Sequence, residues 1–228
     1  MDTNLERMVQ EFVNTFLLVF AGLFPIINPL GNAPIFLTLT RQCTDEERHV
    51  LAWRVAVNGF LLLLGSLLIG SHILSFFGLT LPTIRIAGGL IIASVGWKLL
   101  SSDNDQEDHR TAGAPHEHVA PPDSFYPLTM PLTVGPGSIA VAVTLGSRRP
   151  AVPESISHLA LLAGAAFLGL VASAATIYLS YRFAGTITAV LGKGGTNVLL
   201  RLSAFILVCI GIEIAWTGYS ALLATVGH

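Results

Sequence analysis

Two short proline-bearing stretches hold the residues of this 228-residue chain whose types and spacing are best suited to binding chemistry. The first reads Pro25-Ile-Ile-Asn28-Pro29-Leu-Gly31-Asn32-Ala-Pro34, the second Pro127-Leu-Thr-Met-Pro131-Leu-Thr133-Val-Gly135-Pro136-Gly137-Ser138. Both carry prolines in the pattern P-x-x-x-P-x-x-x-x-P, at a constant offset of 102 residues (127 − 25), which marks an internal repeat. A proline lacks a backbone donor and clashes with the preceding turn, so each stretch is expected to break a helix. Asn28 before Pro29 has the pattern of an N-cap followed by the favoured first helical residue. A helix restarting there presents free N–H groups and the positive end of its dipole, which suit an anion such as a carboxylate. Gly135-Pro136-Gly137-Ser138 offers the same from the second stretch, its glycines allowing positive φ and close approach of a ligand to the backbone. A pair of plain proline kinks is the structural alternative. Two breaks at matching spacing favour a substrate site made by Asn28, Gly31, Asn32, Thr133, Gly135, Gly137 and Ser138.

The elements that must position these residues are membrane helices. The chain is 52% hydrophobic and 11% charged, with a mean hydropathy of +0.68; soluble domains carry about a quarter charged residues. A spanning helix needs roughly 20 mostly apolar residues, and six such runs occur, near 11–40, 54–77, 83–99, 125–146, 156–181 and 200–223. The first is too long for one straight span and is expected to break at Asn28. After it, Thr44 and Glu47 have the spacing of a capping box, with Asp45, Glu46 and Glu47 in the first turn of a new helix. Gly88, Gly89, Ala93 and Gly96 in the third run suit close approach of a neighbouring helix.

The fold class follows as an all-α membrane protein of six transmembrane helices, arranged as two inverted three-helix repeats whose first and fourth helices are interrupted. Residues 1–100 form the first repeat, 101–124 a hydrophilic cytoplasmic linker and 125–228 the second repeat, within one membrane domain. An odd number of helices per half makes the repeat inverted, and paired interrupted helices in inverted repeats point to a transporter's central site. The second half-repeat lacks a long helix before Pro127, so the symmetry is approximate. Lys and Arg counts place both termini outside, with Trp53, Trp97, Tyr126 and Tyr181 at the cytoplasmic interface and Trp216 with Tyr219 near the outer one.

Glu213 is the one acid inside an apolar span, and an intramembrane carboxyl is paired or functional as a rule. Two readings stand side by side: it accepts a coupling proton, or it stays neutral and hydrogen-bonds to a neighbouring helix. The linker histidines, His109, His116 and His118, sit in a charged, proline-interrupted segment that suits a flexible connection better than a metal site. No metal or other cofactor is called for. Cys43 and Cys209 lie at different depths and are expected to be free thiols. The net charge of −2 leaves no basic patch for nucleic acid. Without GxSxG, paired intramembrane aspartates or a histidine cluster at membrane depth, the chain lacks an enzyme's nucleophile and base.

Asn28-Pro29-Leu-Gly31-Asn32-Ala-Pro34-Ile-Phe36, Thr44-Asp45-Glu46-Glu47-Arg48, Arg85-Ile-Ala-Gly88-Gly89 and Pro131-Leu-Thr-Val-Gly135-Pro136-Gly137 closely resemble the MarC family of bacterial inner-membrane proteins, over nearly the whole chain apart from 101–123. That family includes SnatA-type transporters of small neutral amino acids. The resemblance implies a multi-pass protein of the inner membrane, and with the two breaks it implies a secondary transporter that moves alanine, glycine or a similar substrate by alternating access. H+ or Na+ would be the coupling ion, and a homo-oligomer in the bilayer is compatible with the sequence. A passive channel or exporter for other small solutes shares the architecture and is the alternative.

Overall fold

A computed structural model describes residues 2–101, 123–147 and 156–226. Residues 102–122 of the linker, with its three histidines, and Arg148-Arg149 lie outside the described residues. Helix α1 spans Asp2–Ile27 and α2 spans Pro29–Leu39, separated only by Asn28. Helix α3 spans Asp45–Phe76 and α4 spans Leu81–Ser101. A wide-turned segment, Leu128–Thr133, precedes α5 at Pro136–Gly146. Helix α6 runs Ile156–Arg182, and α7 runs Ala184–Val226 with a break at Gly192, where φ is 63°. No named strand occurs among the described residues; Asp123 and Pro127 form one isolated bridge.

Against the six spans expected, four helical stretches among the described residues are long and apolar enough to cross a membrane: Leu5–Ile27, Asp45–Gly70, Ile156–Arg182 and Gly194–Ala224. Helix α5, with 11 residues, covers about 16 Å, half a bilayer. The capping box is formed, Thr44 N–H donating to Glu47 Oε2 at 2.8 Å and Glu47 N–H to Thr44 Oγ1 at 3.3 Å.

In the packing, α1 and α2 lie against α6, Leu128–Thr133 and α5 against α3, and α4 runs along α7. The α4–α7 contact is glycine-mediated, as small residues in membrane helices favour. A Cβ on Gly89 would come within 2.5 Å of Ala215 N and Gly211 O, and one on Gly96 within 2.8 Å of Ala204 O. Leu23, Ile27, Phe36, Leu63, Ile177 and Tyr181 fill the centre. The outer surface is apolar, with Leu61, Leu68, Leu90, Phe167 and Phe205 exposed; so large an exposed apolar surface is what lipid covers.

Tyr181 departs from its expected interfacial position, being fully buried. Its helix presents Ala165, Gly169, Ser173, Ile177 and Tyr181 inward at intervals of four. That periodicity turns the ring onto the core, where it stacks on Phe36 with centroids 4.4 Å apart.

Candidate functional site

The first break is held open by its own side chains. Asn28 adopts the left-handed conformation, φ 46° and ψ 56°, which asparagine tolerates better than most residues. Its N–H still closes α1 on Phe24 O at 2.9 Å, and its Oδ1 accepts from Gly31 N–H at 3.2 Å. Gly31 N–H is the regular helical partner of Ile27 O, so that carbonyl needs another donor. Asn32 Nδ2 supplies it at 2.9 Å. Gly31 does not line the cavity described below; a Cβ there would collide with the Asn28 side chain. The glycine therefore serves the cap, not a ligand.

The second break is built differently. Leu128–Thr133 closes through wide i→i+5 bonds, Leu132 N–H to Pro127 O at 3.3 Å and Val134 N–H to Thr129 O at 2.8 Å. Met130 inside it is extended, and the bonds before Pro127 and Pro131 are cis. Thr133 Oγ1 donates to Leu128 O at 2.7 Å, which leaves its lone pairs to accept from the Tyr181 hydroxyl, also at 2.7 Å. Gly135 is extended, φ −94° and ψ 177°, and caps α5 without any side-chain bond. Ser138 Oγ donates back to Gly135 O at 2.9 Å. Pro136 has no N–H, so Gly137 and Ser138 present the first N–H groups of α5, with no side-chain cap on them.

The expectation of positive φ at these glycines is not met: among the described glycines only Gly78 and Gly192 have it. Gly137 is small for a different reason. A Cβ there would run into Ile92 of α4, so the glycine admits a neighbouring helix.

One residue joins the two breaks. Asn32 Nδ2 donates to Leu132 O at 2.9 Å as well as to Ile27 O, so both amide hydrogens are used on carbonyls, one from each break. Around this staple lies a cavity of about 150 Å³. Its polar side is made by Asn28, Asn32, Thr133, Gly135, Gly137 and Ser138, and its apolar side by Ile26, Ile91, Ile92, Val95 and Leu207. No charged side chain lines it. The volume matches engineered cavities that hold benzene. It suits a small molecule, polar at one end and apolar at the other, with no net charge. No group of three or more potential metal ligands occurs among the described residues.

Six of the seven sequence-derived binding residues thus border one cavity. Glu213 does not: it lies on the exposed face of α7. Sequence reasoning missed the aliphatic wall, because isoleucine, valine and leucine are ordinary on every face of a membrane helix. It also missed the contact of Glu11 on α1 with His158 on α6, which ties these two helices together.

A family model, MarC family integral membrane protein, matches residues 13–223. The membrane protein YvbG of Bacillus subtilis is 33% identical over 204 residues, covering 88% of this chain and 92% of its own length. The inner membrane protein MarC of Escherichia coli K12 is 30% identical over 207 residues, covering 89% and 93%. No solved structure matches. With apolar helices long enough to cross a bilayer, two proline-broken segments meeting at one cavity, and a match over nearly its whole length, this chain belongs to the MarC family of multi-pass integral membrane proteins.

Proposed function

We propose that the chain is a secondary transporter that moves small neutral amino acids across the inner membrane by alternating access. Its two halves, 1–100 and 125–228, act as inverted three-helix repeats with both termini outside. The packing of α1 and α2 on α6, and of Leu128–Thr133 and α5 on α3, supports that symmetry, because exchanging the halves exchanges these two sets of contacts. The observation that carries the reading is the cavity between the breaks, amphipathic and free of charged side chains. A zwitterion fits it, since its own charges compensate and only dipoles are needed to orient them. The carboxylate would meet the Gly137 and Ser138 N–H groups at the positive end of α5. The ammonium would meet Asn28 Oδ1, which keeps a lone pair after accepting from Gly31. A small side chain would face Ile91, Ile92 and Val95. The Phe36–Tyr181 stack, bonded to Thr133 at the cavity's edge, would close the cytoplasmic side.

The test is counterflow in proteoliposomes. Unlabelled alanine or glycine inside should drive transient, saturable accumulation of the labelled amino acid from outside. Linear, non-saturating flux would favour the passive channel, and no movement of any amino acid in a broad panel would refute the transporter.

A further inference from the structure

Helix α7 has two long faces with different fates. One packs on α4 through Ala204, Gly211, Ala215 and Gly218. The opposite face carries Leu202, Ile206, Cys209, Glu213, Trp216 and Ser220, all exposed. Their spacing alternates four, three, four, three, four residues, which is the heptad seam by which one helix packs against another.

Glu213 sits at the middle of this seam. It lies 12 residues after Arg201 and 11 before Ala224, about 18 Å and 16 Å along the helix from each. The Glu213 carboxyl has no hydrogen-bond or ion partner among the described residues; only its carbonyl is engaged, by Thr217 Oγ1 at 2.9 Å. Acids within a membrane span face protein or water and are paired. This one faces outward from the described chain, so another protein surface must cover it.

We propose that the cover is a second copy of this chain, its α7 packed in parallel against the first across this seam. Both copies insert in the same direction, so a two-fold axis along the membrane normal makes the helices parallel and brings each residue of the seam near its own equivalent. The two Glu213 carboxyls then meet on the axis and hydrogen-bond to each other, a contact that requires at least one to hold its proton. A polar residue at one core position of such a seam also sets its register. The dimer is independent of what the cavity transports.

Cys209, one turn from Glu213 on the same seam, is a built-in reporter. Cys43 is buried, and its burial pushes its thiol up, with Glu47 adding and Arg48 opposing, so it competes poorly for oxidation. Oxidation of the full chain in membranes with copper phenanthroline should yield a dimer that Cys209→Ser abolishes. In the Cys209→Ser background, Ser220→Cys on the seam should cross-link, whereas Tyr219→Cys, exposed but off the seam, should not. Single-molecule photobleaching in nanodiscs large enough for two copies should show two steps for the wild type and Glu213→Gln, and one for Glu213→Lys, whose cations would repel on the axis. One-step bleaching of the wild type would overturn the proposal, as would undiminished pairing of Glu213→Lys or equal cross-linking at 219 and 220.

Discussion

The two helix breaks repeat one proline pattern, yet they are finished in opposite ways. At the first, Asn28 turns back on Gly31, and Asn32 takes the carbonyl that this leaves over, so the break satisfies itself. At the second, hydroxyls of Thr129 and Thr133 serve the carbonyls, but nothing caps the N-terminus of α5. The first break is therefore a rigid strut offering acceptor oxygens, while the second keeps donors and a positive dipole end facing the cavity. A ligand bound between them would lie with its negative end toward Gly137 and its positive end toward Asn28. The two proline stretches thus make a polarised cavity because they are finished differently.

The largest effect is expected where the breaks are tied together. Asn32→Ala removes both donors of the staple and leaves Ile27 O and Leu132 O unpaired; at about 1–3 kcal/mol for each buried orphan, the loss is of order 2–6 kcal/mol. A thermal melt of the purified protein in detergent should show a marked fall in Tm, and counterflow should vanish. An unchanged Tm would mean the staple does not join the two breaks.

The next comparison separates the two glycines of the second break. Gly137→Ala drives a methyl into Ile92, an overpacking of about 1–3 kcal/mol, and should sharply reduce uptake. Gly135→Ala places its Cβ 3.6 Å from Pro131 O, an ordinary contact, at extended backbone that any residue adopts. It should be far milder. Ile92→Ala combined with Gly137→Ala should restore much of the loss; equal damage from both single variants would contradict the assignment of Gly137 to helix approach.

The smallest effects concern the cap. Asn28→Ala loses the bond to Gly31 and forces a Cβ residue to hold positive φ, costing about 1–2 kcal/mol. Asn28→Gly keeps the backbone easy and loses only the cap, a few tenths of a kcal/mol. Melting curves of the two variants should rank in that order, and the reverse order would show that residue 28 does not hold positive φ in the folded protein.

How much of this was legible before the structure depends on the range of each signal. The breaks at Asn28 and Gly135, the capping box at Thr44 and the glycine face of α4 are written in residues a few positions apart, and they appear where the pattern puts them. Asn32 was recognisable as a polar residue at the break, but its partner Leu132 is 100 residues away and binds through a carbonyl, which every residue type owns. Tyr181 looked interfacial because aromatic residues near helix ends are commonly so; only the inward interval of four along α6 distinguishes it. Ile91, Ile92, Val95 and Leu207 carry no local signal, since the lipid-facing and cavity-facing sides of these helices use the same aliphatic residues.

The polarised site is tested most directly by comparing alanine with alaninamide as competitors of labelled alanine counterflow in proteoliposomes. Alaninamide keeps the ammonium and the methyl group but has no carboxylate to meet the open N-terminus of α5. Alanine should compete well and alaninamide poorly, by at least about tenfold, or roughly 1.4 kcal/mol. Equal competition by the two would contradict the placement of the anion at Gly137 and Ser138.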